Sequence, residues 1–156
     1  PDTDFAWFGY LNPTGGRFDR FLQPRETRKL VANSPDNCTF TGYIDDPRGA
    51  PAAGDVFFWP SKNENEGMAL LEMMHCSIPP VVRSIPTYEW LDDGDACLKV
   101  DADANDGVEA FVDPLRRLCE DEALREEIGT AAAETSEEFT LEAVGAELVA
   151  LYERLT

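Results

Sequence analysis

Short apolar runs alternate with stretches of helical periodicity along this chain. The apolar runs are continuous and rich in β-branched or aromatic residues, which is typical of strands buried on both faces of a parallel sheet. They predict strands at Phe5–Gly9, Cys38–Thr41, Val56–Trp59, Val81–Arg83 and Leu98–Val100.

Between and after these runs, apolar residues recur at the three- and four-residue spacing of an amphipathic helix. Strands that alternate with helices indicate an α/β fold, here a doubly wound, Rossmann-like parallel sheet flanked by helices. The 156 residues suffice for one such domain, which we expect to span residues 1–156. The predicted helices are Arg25–Ala32, Met68–His75, Gly107–Cys119, Glu122–Glu134 and Leu141–Leu155, with a short turn at Arg48–Ala53.

The charge is strongly negative and dispersed. Thirty-one acidic residues against 13 basic ones give a net charge of −18, and lysine occurs only at Lys29, Lys62 and Lys99. Salt screens the self-repulsion of such a surface, so the composition favours a cytoplasmic protein of a halophile, with an acidic interaction surface as the alternative. Nucleic acid and anionic membranes carry the same sign of charge, so direct binding to either is disfavoured.

The cysteines and the single histidine do not form a recognisable metal motif. Cys38, Cys76, Cys97 and Cys119 lie far apart, and His75 is the only histidine. Zinc-site spacing is therefore absent, and no metal site is predicted. Two of the thiols, at positions 76 and 119, are expected to be small buried apolar groups. No apolar run reaches membrane-spanning length.

The segment that follows the third predicted strand carries the candidate chemistry. Glu64 precedes a predicted helix and Glu72 lies about one turn inside it, with Gly67 between them. The free amides at a helix N-terminus favour an anion such as a diphosphate, and carboxylates on either side can accept hydrogen bonds from sugar hydroxyls. Acids near a helix N-terminus also simply complement the helix dipole, and Glu66 fits that interpretation. Spacing alone leaves both interpretations open.

The residues around this segment resemble the E-x7-E signature of family 4 (group 1) glycosyltransferases, which have the GT-B fold. The resemblance extends from Phe5 to Leu155 and includes the strand end Phe40–Tyr43 and the run Asp55–Ser61. Within the signature it rests on Ser61, Glu64, Asn65, Gly67, Met68, Leu71, Glu72, Met74 and Pro79–Val82.

The resemblance implies a retaining transfer of a hexose from a nucleotide diphosphate sugar, such as a UDP- or GDP-hexose, without a protein-bound cofactor. It implies that Glu64 contacts the donor sugar hydroxyls as the catalytic residue and that Glu72 holds the nucleotide ribose. The other implied substrate-binding residues are Asn65 of the signature, Gly67 and Met68 at the diphosphate or sugar, and Gly42 and Tyr43 at the nucleobase.

Two cations that the family uses at the diphosphate, an arginine and a lysine, would precede Pro1. The acceptor domain is not among these residues either. We therefore expect the chain to be the C-terminal, nucleotide-sugar-binding half of the enzyme, truncated at its N-terminus and inactive by itself.

A narrower resemblance concerns the acceptor. The runs Phe5–Tyr10, Phe40–Asp46 and Val81–Tyr88 look like those of glucosyltransferases that act on diacylglycerol-type lipids. This implies a lipid acceptor and peripheral membrane contact in the full-length protein. Arg83 ends a strand at the ligand-binding edge, where it faces donor or acceptor or else forms a surface ion pair. The side chains of Trp7 and Phe8 are expected in the core.

Two other functions fit less well. Acidic pairs at Asp45–Asp46 and Asp92–Asp93 suggest a phosphoacceptor receiver module, but such a module needs its acidic pair after the first strand, where Gly9–Asn12 stands instead. A sugar-nucleotide epimerase of the GT-B fold is the second alternative, and the match at Glu64–Glu72 disfavours it.

Overall fold

The computed structural model describes residues 3–9, 25–102 and 107–155. The chain divides into two compact units, Pro1–Gly54 and Asp55–Thr156. Within the described residues all strand pairs of both units are parallel. Five strands and five α-helices of the described residues lie at the predicted positions, and most of their ends shift by at most two residues. The exception is the helix predicted at Gly107–Cys119, which begins five residues later, at Val112, after a 3₁₀ turn at Glu109–Phe111.

The first unit contains a pair of parallel strands and one helix. Its α-helices and strands are β1 (Phe5–Phe8), α1 (Arg25–Ala32) and β2 (Cys38–Gly42), and the predicted short turn is a pair of 3₁₀ turns at Pro47–Gly49 and Pro51–Ala53. The prediction that Trp7 lies in a core is wrong, because its side chain is 51% exposed. Phe8 is half-buried. Two strands alone give such side chains little to pack against among the described residues of this unit.

The second unit is a three-stranded sheet with helices. Strand β4 lies between β3 and β5, and all four of its residues are buried. The strands are β3 (Phe57–Trp59), β4 (Pro80–Arg83) and β5 (Leu98–Val100), and the helices are α2 (Met68–His75), α3 (Val112–Glu120), α4 (Glu122–Ser136) and α5 (Leu141–Leu155). Three 3₁₀ turns, at Pro86–Tyr88, Glu109–Phe111 and Glu137–Phe139, connect them.

The sheet of the second unit is covered on both faces. Val82 belongs to one apolar cluster, together with Leu70 of α2 and Ala132 of α4. Its neighbour Val81 belongs to the other, together with Leu118 of α3. Successive residues of a strand point to opposite faces, so the two clusters are the two layers of a Rossmann-like α/β fold.

The cysteines differ in part from the prediction. All four are free thiols, but Cys76 is exposed at the end of α2, and Cys119 is only half-buried. The buried thiol is instead that of Cys97, whose pKa is raised to about 12 by its burial. An apolar sequence context therefore failed to predict burial at a helix end.

No helix within residues 3–9, 25–102 and 107–155 is long and apolar enough to cross a membrane.

Candidate active site

The candidate site begins where β3 ends, at the carboxyl edge of the three-stranded sheet. A loop from Pro60 to Gly67 leads into α2. Gly67 has φ 79° and ψ 54°, a left-handed conformation that glycine adopts without strain. As the N-cap residue it has no side chain to offer the helix, and its carbonyl accepts hydrogen bonds from the amides of Leu70 and Leu71 at 2.8 and 3.2 Å.

The start of α2 presents unused donors. Within the described part of the chain, the amides of Met68 and Ala69 donate to no acceptor. Free amides in the first turn, together with the positive end of the helix dipole, favour an anionic ligand at this point. The geometry is therefore that of a helix start open to a phosphate-bearing molecule.

Helix α2 separates an apolar face from an accessible one. Leu70, Leu71 and Met74 are buried against the unit. Glu72 and the first residue, Met68, are exposed. The apolar face fixes the helix on the sheet, so the Glu72 carboxylate is held on the side that a ligand can reach.

The loop before α2 carries the other predicted residues. Glu64 is half-buried and Asn65 is exposed. Five of the predicted site residues thus belong to one continuous segment of the second unit, which we call the donor loop and helix: Glu64, Asn65, Gly67, Met68 and Glu72.

Gly42 and Tyr43 lie in the first unit, at the end of β2. Gly42 has φ 71°, and its carbonyl accepts a hydrogen bond from the amide of Gly9 at 2.8 Å. The side chain of Tyr43 is 65% exposed. These two residues belong with the β1–β2 pair, whereas the donor loop and helix belong to the other unit.

Arg83 points into the protein. Its side chain is only 7% exposed, which excludes a surface ion pair. The guanidinium donates to the carbonyl of Pro60 at 3.2 Å and to the carbonyl of Ala102, and it lies 5.1 Å from the ring centroid of Phe111. Arg83 therefore ties together the chain segments that follow β3 and β5, on either side of its own strand.

Sequence reasoning did not identify the side chains that hold the donor loop. The hydroxyl of Thr87 donates to the carbonyl of Glu64 at 2.9 Å, and the indole N–H of Trp59 donates to the hydroxyl of Tyr88 at 2.9 Å. Burial raises the pKa of the Tyr88 phenol, the hydrogen bond from Trp59 opposes that rise, and the nearby charge of Glu64 adds to it. The residues concerned are 23 and 29 positions apart in the sequence. The only local signal was a Pro-x-Tyr turn at a strand end.

The sequence of this chain is similar to those of known proteins. The sequence model of the family described as glycosyl transferases group 1 matches residues 15–121. The processive diacylglycerol alpha-glucosyltransferase of Acholeplasma laidlawii is 35% identical over 94 residues, which are 58% of this chain and 26% of that protein. The sulfoquinovosyl transferase SQD2 of Arabidopsis thaliana is 35% identical over 117 residues, or 73% of this chain and 22% of that protein.

A solved structure agrees in fold. The Anabaena protein HepE, crystallised in complex with UDP and glucose, matches 96% of this chain and 40% of its own with a TM-score of 0.77 and 16% identity. The chain spans about a quarter of the length of the two curated relatives. The family match covers more than half of the sequence, so the chain belongs to the group 1 glycosyl transferases.

Proposed function

We propose that residues 1–156 are the nucleotide-sugar-binding part of a retaining hexosyltransferase. The observation that carries this proposal is the donor loop and helix. Gly67 and the amides of Met68 and Ala69, which donate to no acceptor within the described residues, lie along the chain between Glu64 and Glu72. In the proposed complex an anion binds at these amides, and the two carboxylates accept hydrogen bonds from hydroxyls of the same ligand.

In the proposed complex, Glu64 contacts the hydroxyls of the donor sugar and Glu72 contacts the ribose. The start of α2 binds the diphosphate, and Asn65 is a further substrate-binding residue of the same loop. Gly42 and Tyr43 flank the nucleobase. The acceptor hydroxyl oxygen forms a bond to the anomeric carbon, on the face that the diphosphate leaves, and the bond from that carbon to the diphosphate oxygen breaks. The electrons of the broken bond and the proton of the acceptor hydroxyl go to the diphosphate oxygen, and the nucleoside diphosphate leaves. The protein contributes position and electrostatic stabilisation of the leaving group.

The proposed donor is a UDP- or GDP-hexose and the proposed acceptor is a membrane lipid. HepE was solved with UDP and glucose, and one relative is named for diacylglycerol. Because the chain spans about a quarter of these relatives, we propose that acceptor binding, peripheral membrane contact and the cations for the diphosphate come from other parts of the whole protein. The 156 residues alone would then be inactive.

Membership in a transferase family favours this function over a receiver-like signalling module and over an epimerase. Asp46 of the first acidic pair is also engaged, since it accepts two hydrogen bonds from the Arg48 guanidinium at 2.9 Å each. The net charge of −18 supports the further proposal of a cytoplasmic enzyme adapted to high salt.

The test is hexose transfer by the whole protein in high salt, with radiolabelled UDP-glucose and GDP-glucose and diacylglycerol vesicles. Glu64→Gln and Glu72→Gln should each lower kcat/KM by roughly 10- to 100-fold, the value of a hydrogen bond to a charged group. Glu66→Gln, an exposed acid between them, is the control that changes charge alone. If both variants turn over as fast as the control, the proposed site is wrong.

A further inference from the structure

We propose that the 3₁₀ turn Pro86–Tyr88 positions the donor loop, with Thr87 fixing Glu64 toward the donor sugar and Tyr88 fixing Gly67 toward the diphosphate. The inference rests on the proposed function and adds to it residues that act through Glu64 and Gly67 and not on the ligand itself. Both are positioning residues.

The first contact fixes the position of Glu64. The Thr87 hydroxyl donates to the backbone carbonyl of Glu64 at 2.9 Å. The loop has few other bonds of its own: the Ser61 hydroxyl donates to the carbonyl of Asn63 at 3.2 Å. The bond from Thr87 therefore joins the middle of the loop to the segment after β4.

The second contact fixes the position of Gly67. Tyr88 is fully buried, and its hydroxyl oxygen accepts the indole N–H of Trp59 at 2.9 Å. A methyl group added at Gly67 would come within 2.7 Å of that oxygen. Trp59 ends β3 and Tyr88 follows β4, so this hydrogen bond fixes the Tyr88 phenol between the ends of two strands. The phenol packs directly against Gly67, at the residue where the loop becomes α2.

The central strand β4 places this turn next to the donor loop. Strand β4 is buried throughout, and its last residue, Arg83, is bonded to the carbonyl of Pro60 at the start of the same loop. The donor loop is thus held at its beginning by Arg83, at Glu64 by Thr87 and at Gly67 by Tyr88. All three of these residues come from one short stretch, which runs from the last residue of β4 to the end of the 3₁₀ turn.

This arrangement predicts that substitutions of Thr87 affect the use of the sugar nucleotide more than the binding of the free nucleotide. In the proposed complex the donor sugar contacts Glu64. A free nucleoside diphosphate has no such sugar and so makes no contact with Glu64. Thr87→Val keeps the shape of the side chain and removes the hydrogen bond, while Thr87→Ser keeps the hydroxyl. If Thr87 had a purely structural role, its loss would weaken the use of the sugar nucleotide and the binding of the free nucleotide to the same extent.

The experiment measures, in the whole protein, kcat/KM for whichever of UDP-glucose and GDP-glucose supports transfer, and inhibition by the matching free UDP or GDP. Thr87→Val should lower kcat/KM about 2- to 10-fold, the value of one hydrogen bond, and leave the inhibition constant unchanged. Thr87→Ser should restore kcat/KM. The matched control is Thr130→Val, since the Thr130 hydroxyl donates to the carbonyl of Glu126 at 2.7 Å on the surface of α4.

The proposal is overturned if Thr87→Val equals the control, or if sugar nucleotide and free nucleotide are weakened equally. When Glu64→Gln loses activity and Thr87→Val does not, only this inference fails. If neither donor supports transfer, or if Glu64→Gln is without effect, the proposed function is wrong, and this inference is wrong as well.

Discussion

Helices α4 and α5 have the same length, 15 residues each, and opposite environments. Helix α4 buries Ile128, Gly129, Ala132 and Ser136, whereas no residue of α5 is buried. Yet α5 has the more regular apolar spacing, at Leu141, Val144, Leu148, Leu151 and Leu155. Apolar periodicity therefore predicts that a helix forms, but it does not say which helix covers the core.

Small residues explain the closer packing of α4. A methyl group at Gly129 would lie 2.3 Å from the carbonyl oxygen of Ser77, in the turn that ends α2. At Gly145 of α5 nothing lies within 4 Å of the same position. Helix α4 thus approaches the backbone after α2, the helix that carries Glu72, and contributes to holding the candidate site. Helix α5 follows a segment held by Phe139, whose ring lies 4.6 Å from that of Trp90.

The largest expected difference between the two helices is in core truncation. Ile128→Ala should lower the free energy of unfolding of this chain by about 2–5 kcal/mol, because Ile128 is fully buried and leaves a cavity. Leu148→Ala should lower it by less than about 1 kcal/mol, because half of that side chain is already exposed. Urea titration of both variants measures the two losses in the free energy of unfolding. Equal losses would contradict the difference in burial.

A smaller effect, of opposite sign in the two helices, is expected at the glycines. Gly129→Ala should destabilise the chain by about 1–3 kcal/mol through the clash with Ser77. Gly145→Ala should stabilise it by roughly 0.5–1 kcal/mol, because alanine has the higher helix propensity and the space is open. Thermal unfolding of the pair checks the sign, and a rise in Tm for both would show that α4 does not approach Ser77 closely.

Much of the fold could be predicted because local pattern determines it. The bounds of α2 were predicted from Gly67 and the apolar residues that follow, and β4 from its continuous apolar run. The environment of each element was harder to predict, since exposure of Trp7 and Cys76 depends on which segments meet in space.

The candidate site shows the same limit. Glu64 and Glu72 were found from their spacing and their resemblance to a family, and their roles stay predictions. The bond from Trp59 to Tyr88 joins residues 29 positions apart, and no local pattern indicates it. Arg83 was singled out from its strand-end position, but only the structure showed that it faces two backbone carbonyls.

The central claim, that a nucleotide sugar binds at the start of α2, is tested most directly by hydrogen exchange of the whole protein with and without UDP-glucose or GDP-glucose. The amides of Met68 and Ala69, which donate to no acceptor within the described residues, should exchange more slowly when the donor is bound. The account predicts protection of residues 64–72, which Glu72→Gln weakens. Unchanged exchange there with both donors, in a protein that transfers the sugar, would contradict it.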